Sequence, residues 1–190
     1  MKKILIIFIS TLFITLNLSA QSEIKAKVDS ILQDVDRESL THTMEFYSLL
    51  PAIGGQTTTL KFYYISWQVN PRDNPYEMDA RLVKLEVTYN IASSVDYTQE
   101  YIFNREEKLI YYMYKEEDNY EPDNSQILYY YYDNGGLVLL ERLLVENSKG
   151  KKTEVLGFDD EEAGRVDVIN FKANTYLEVF KDMLAIELLK

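Results

Sequence analysis

Tyrosine is the residue type whose abundance and spacing point most directly to a binding chemistry. The chain has sixteen tyrosines. Most lie between Tyr97 and Val145: Tyr97, Tyr101, Tyr111, Tyr112, Tyr114, Tyr120 and the run Tyr129 to Tyr132. A tyrosine ring offers a broad apolar face and a hydroxyl at low entropic cost, which suits recognition of a glycan, a peptide or a protein partner. Alternate residues of a strand share a face. Tyr112, Tyr114, Tyr130 and Tyr132 are therefore the candidate ligand-binding set, with the opposite parity of the same strands as the competing choice. A half-buried antiparallel sheet is rich in tyrosine for packing reasons alone. That structural reading outweighs binding unless the rings form a contiguous exposed patch.

Other chemistries have less support. The chain has no cysteine, which removes thiol catalysis, iron–sulfur clusters and cysteine zinc sites. His42 is the single histidine, and it sits in an alternating stretch beside Met44 and Phe46. No Gly-x-Ser-x-Gly or His-Glu-x-x-His motif is present, so His42 is assigned a structural or surface role. The acidic stretch Glu116-Glu117-Asp118-Asn119, with Glu121, Asp123 and Asn124, offers hard oxygen ligands. It lacks the spacing and central glycine of a calcium loop and reads as a solvated connection. No glycine-rich loop precedes a helix, so phosphate cradling has no candidate. Among 31 acidic residues, nothing singles out a catalytic pair. The sequence assigns no catalytic residue, no metal site and no cofactor.

The elements that must position the tyrosines follow from periodicity. Residues 1–20 have the layout of a secretory signal: Lys2 and Lys3, an apolar run from Ile4 to Phe13, then Leu18-Ser19-Ala20. The expectation is cleavage after Ala20, an exported protein in the periplasm or outside the cell, and no stable membrane insertion afterwards. Residues 21–190 then form one domain. The net charge is −11, and loss of Lys2 and Lys3 makes the remainder more negative still. Such a field repels phosphate backbones, so nucleic acid is not an expected partner.

Ser22 to Leu40 reads as a helix with Ile24, Val28, Ile31, Leu32 and Val35 on one stripe. From Thr41 the period becomes two. Strands are predicted near Thr41 to Tyr47, Thr57 to Val69, Leu82 to Tyr89, Tyr97 to Phe103, Lys108 to Lys115, Ile127 to Tyr132 and Leu137 to Val145. Val83, Leu85, Val87 and Tyr89 are predicted to share one face, opposite Lys84, Glu86 and Thr88. The later strands are apolar or tyrosine-rich on both faces. They are either covered on both sides or present one open tyrosine platform. Asn70 to Met78, with Pro71 and Pro75, is predicted as a loop. Asn147 to Lys152 reads as a polar turn. Asp133-Asn134-Gly135-Gly136 is a tight-hairpin signal. A second helix is predicted to open near Asp159, where the acidic run suits a helix N-terminus. Its apolar stripe is Val166, Ile169, Ala173, Tyr176, Leu177, Phe180 and Leu184. The fold class is α+β: an N-terminal helix, an antiparallel meander of about seven strands, and a C-terminal helix packed on the sheet, with helices gathered on one face or end.

The pattern Pro51-Ala52-Ile53-Gly54-Gly55, Phe62-Tyr63-Tyr64, Tyr89-Asn90-Ile91-Ala92, Glu100-Tyr101-Ile102-Phe103, Leu109-Ile110-Tyr111-Tyr112 and Tyr130-Tyr131-Tyr132-Asp133-Asn134-Gly135-Gly136-Leu137-Val138 resembles that of an uncharacterised family of small exported bacterial β-meander proteins with no assigned activity. It runs from about Met44 to Val145. The resemblance implies export and a sheet-rich fold, and it implies no active site. The chain departs from it in the first hairpin turn, where Glu106-Glu107-Lys108 replaces the usual glycine. The function that follows is an exported, non-enzymatic binding or interaction module using a tyrosine-rich sheet face. Two other readings are a small secreted hydrolase acting through carboxylates and an inhibitor or adaptor that binds another exported protein by strand addition at a sheet edge.

Overall fold

The computed structural model describes residues 21–35, 39–50, 54–70, 72, 74–91, 94–121, 125–133, 135–146, 150–157 and 159–188. The predicted signal segment lies outside them. Residues 21–35 form helix α1. Eight strands follow: β1 (Leu40–Leu50), β2 (Gly54–Asn70), β3 (Asn74–Ile91), β4 (Val95–Phe103), β5 (Leu109–Asp118), β6 (Gln126–Asp133), β7 (Gly136–Glu146) and β8 (Gly150–Val155). Helix α2 (Asp160–Leu188) ends the chain's described part. The strands make one antiparallel sheet in sequence order, β1 to β8, so every connection is a hairpin. The α+β class with a C-terminal helix on the sheet is as read from periodicity.

Several local expectations are corrected. The helices do not gather on one side. Val28 of α1 packs on Ile102, Ile110 and Tyr111, whereas Val166, Ile169, Ala173, Leu177, Phe180 and Met183 of α2 pack on Phe62, Leu85, Tyr101, Tyr112 and Tyr130. Neighbouring positions such as Tyr111 and Tyr112 point to opposite faces, so the sheet is the middle of three layers. An antiparallel sheet with two apolar faces needs two covers. Helix α1 ends earlier than predicted. Residue 39 is outside it and Leu40 already begins β1. Asn74 to Met78 is strand, not loop. Pro75 is tolerated because this part of β3 pairs only with β2, leaving one side without a ladder. The polar turn after β7 is shorter than predicted, and an eighth strand begins at Gly150.

One β-bulge also reorders a face. Tyr63 pairs with Lys84 but Tyr64 pairs with Leu82, so Val83 is an extra residue. Leu82, Leu85 and Val87 face α2, while Val83 lines a cleft beside α1. Val83 therefore does not share the face of Leu85, because a bulge inverts the alternation beyond it.

The tight hairpin between β6 and β7 has two turn residues, since Asp133 pairs with Gly136. Gly135 takes φ 85° there, a conformation that glycine adopts without strain. Helix α2 opens on Asp159, whose Oδ1 accepts from the Glu162 backbone N–H at 2.9 Å. This N-cap satisfies one of the free amides of the first turn. Among the described residues no helix is long and apolar enough to cross a membrane.

Candidate functional site

The four tyrosines selected by parity do share one face of the sheet, and that face lies under α2. Tyr112, Tyr130 and Tyr132 are buried in the core with α2, and Tyr114 is partly buried at its margin. Of the two alternatives read from the sequence, it is the strands covered on both sides that the fold shows. The rings of Tyr101, Tyr112 and Tyr130 stand side by side on β4, β5 and β6, with centroids 4.9 and 5.4 Å apart. They bury their apolar area against α2 rather than offering it to solvent. The other parity is covered too: Tyr111 meets Tyr131 at 5.3 Å beneath α1.

A cleft remains where α2 does not close over the sheet. It has a volume of about 700 Å³, within the usual range of small-molecule sites. The sheet wall brings together Tyr112, Tyr114 and Tyr130 of the predicted set, and adds Tyr89, Gln99, Glu116 and Gln126. Tyr132 is not part of it. The helix wall consists of the first half of α2, including Gly164, Arg165, Ile169 and Lys172. At Gly164 a Cβ would meet nothing within 4 Å, so this stretch of the wall is open.

The polar groups are arranged in pairs. Gln99 is 4% exposed. Its Nε2 donates to the Tyr89 hydroxyl at 3.2 Å, and its Oε1 accepts from the Tyr101 hydroxyl at 2.8 Å. A buried amide needs such partners to offset its desolvation. Tyr114 donates to Glu116 Oε2 at 3.3 Å, and Gln126 Nε2 donates to the same oxygen at 3.4 Å. Tyr130 donates to Glu162 Oε2 at 3.2 Å. Arg165 in turn bridges Glu162 and Glu161 at 2.8 and 2.6 Å.

The phenols stay protonated. Burial pushes Tyr89 and Tyr114 above the ordinary phenol range, helped by the charge of Glu116. Burial and the neighbouring Glu162 carboxylate push Tyr130 up to about 12. At physiological pH these groups are hydrogen-bond donors with apolar faces, not nucleophiles or bases. The charges along the cleft also balance: Glu116 and Glu161 face Arg165 and Lys172.

The remaining candidates have structural surroundings. His42 is half-buried on edge strand β1. In the acidic connection, the Asp118 carboxylate caps the backbone N–H groups of Tyr120 and Glu121 at 2.8 Å, while Asp123 and Asn124 lie outside the described residues. Among the described residues no three acidic, histidine or cysteine side chains converge as metal ligands.

Sequence reasoning missed Tyr89, Gln99, Glu116 and Gln126. Their strand parity was available, since Gln99 stands opposite Tyr114 and Glu116 opposite Gln126. What marks them as a site is the position of α2, which no local pattern encodes. Comparison with protein-family models, curated proteins and solved structures finds no match for this chain.

Proposed function

We propose that the protein is an exported, non-enzymatic binding module whose cleft between α2 and the tyrosine face takes a neutral, hydroxyl-rich ligand of the glycan type. The observation that carries this reading is the convergence of four tyrosines and two glutamine amides on one cleft whose charges cancel. Aromatic faces suit the apolar side of a sugar ring, and neutral amides and phenols both donate and accept. A net-neutral cleft favours an uncharged ligand over an ion. The leader pattern of residues 1–20 supports export.

Hydrolysis is less well supported. Glu116 and Glu161 line the cleft, but Glu161 is exposed and held by Arg165, and Glu116 is only half-buried. A general acid for glycoside cleavage is normally shielded from water. The test is calorimetric titration of the protein with soluble oligosaccharides. Binding is expected, and Tyr114→Ala is expected to weaken it at least tenfold without unfolding the chain. Unchanged affinity in that variant, or no binding across a broad panel, sinks the proposal. Release of shorter sugars, lost in Glu116→Gln, would establish the hydrolase instead.

A second reading has its own observation. β1 is an eleven-residue strand at the sheet edge that pairs only with β2, and Tyr47 and Leu49 are 70% and 75% exposed. Such an edge is a template for an extended segment of another protein. If β1 is the working surface, amide exchange across Leu40–Leu50 slows when the partner is added. The Tyr47→Lys/Leu49→Lys variant then loses the partner while keeping its oligosaccharide affinity.

A further inference from the structure

The second large cleft lies on the opposite side of the sheet, beside the C-terminal half of α1, and its charge is different. Its volume is about 570 Å³. Its floor is apolar: Val83 is buried there, beside the half-buried Ile31 and Ile65. Three elements each bring a cation to its walls: Lys27 from α1, Arg81 from β3, and Arg105 from the turn between β4 and β5. The lining carboxylates are Asp34 and Glu106. The cleft is thus locally cationic within a chain of net charge −11.

The two arginines, like Lys27 beside them, have no protein partner among the described residues. Acidic residues outnumber basic ones 31 to 20, and Lys25, Lys84, Lys115, Arg142, Arg165 and Lys181 each hold a carboxylate. Among the described residues Arg81 and Arg105 make no ion pair and no side-chain hydrogen bond. They also border a separate neighbouring cleft next to Trp67, whose wall carries Asp79, Glu107 and Lys181. Two guanidinium forks with free N–H donors match the oxygens of a carboxylate or phosphate. An apolar floor next to them matches a hydrocarbon chain.

We propose that this cleft binds an amphiphilic oxyanion, with its carboxylate or phosphate head between Arg81 and Arg105 and its aliphatic chain along Ile31, Ile65 and Val83. This site is separate from the glycan cleft, on the other face of the sheet, and each reading can fail alone. The test is calorimetric titration of the full chain with decanoate, decyl phosphate, decanol and acetate. Decanoate or decyl phosphate is expected to bind at least tenfold more tightly than both decanol and acetate, and the stronger of the two identifies the head group. Raising the salt concentration weakens that binding, as it does for exposed charges. Arg81→Gln/Arg105→Gln is expected to lose at least tenfold in affinity for the anion while oligosaccharide titration is unchanged. Ile31→Ala, at a half-buried position, is expected to weaken decanoate and leave acetate unaffected. Equal affinity for decanol and decanoate, no binding of either anion, or full affinity in the double variant overturns the proposal.

Discussion

Tyr130 and Tyr132 are two residues apart on the same face of β6, yet their hydroxyls have opposite fates. Tyr130 donates to Glu162 at 3.2 Å. Tyr132 is 0% exposed, and its hydroxyl has no hydrogen-bond partner. A buried unpaired hydroxyl costs roughly 1–3 kcal/mol, whereas a hydrogen bond to a charged acceptor contributes about 1.5–3 kcal/mol. The same substitution should therefore change stability in opposite directions. In urea denaturation, Tyr132→Phe is expected to gain about 1 kcal/mol and Tyr130→Phe to lose about 1–2 kcal/mol. Destabilisation by Tyr132→Phe would mean that its hydroxyl has a partner after all. Periodicity identified both residues as sheet-facing neighbours. It contained nothing about which hydroxyl would find a carboxylate, because Glu162 arrives from a helix far along the chain.

At the scale of elements, the β4–β5 hairpin shows how a departure from a local rule is accommodated. Asn104 Oδ1 accepts from the backbone N–H of Glu106 and Lys108 at 3.0 and 2.9 Å. Glu107 then takes φ 58°, the left-handed position that a three-residue hairpin loop usually gives to glycine. A side chain there costs about 1–2 kcal/mol. Glu107 gains in exchange an ion pair with Lys181 of α2 at 3.0 Å, which ties the turn to the helix but contributes at most about 1 kcal/mol at a solvent-exposed site. Glu107→Gly is thus expected to be as stable as the natural chain or slightly more so. Glu107→Ala keeps the strain and loses the pair, and should melt at lower temperature, about 1 kcal/mol or more below the glycine variant. Equal thermal stability of the two variants would refute the strain.

For the whole molecule, the most general consequence is alkaline sensitivity. Tyr101, Tyr111, Tyr112, Tyr131 and Tyr132 are all raised above the ordinary value of 10.0 by burial, and Tyr130 reaches about 12. A phenol whose folded value is raised contributes stability that is complete below the unfolded value and is lost as pH rises toward the folded one. Stability should be insensitive to these groups below about pH 9 and fall between about pH 10 and 12. The slope should be about 1.4 kcal/mol per pH unit for each phenol that ionises only in the unfolded chain. Denaturant midpoints measured against pH, with tyrosinate absorbance recorded in parallel, test this. Complete tyrosine ionisation near pH 10 with the fold intact would contradict the enclosed sheet.

Local patterns along the chain were enough for the order of helix, meander and helix, the stripes of α1 and α2, the Gly135 turn and the shared parity of Tyr112, Tyr114, Tyr130 and Tyr132. All of these depend on residues within a few positions of one another, where strand and helix periods act. It took the assembled fold to place the helices on opposite faces, to roof the tyrosine face, and to move Val83 out of its row at a bulge. It alone brought Gln99 to Tyr89 and Tyr101, and Arg81 to the same cleft as Arg105. Those arrangements depend on how separate elements share a limited apolar area, and that balance is struck only when the whole sheet is covered.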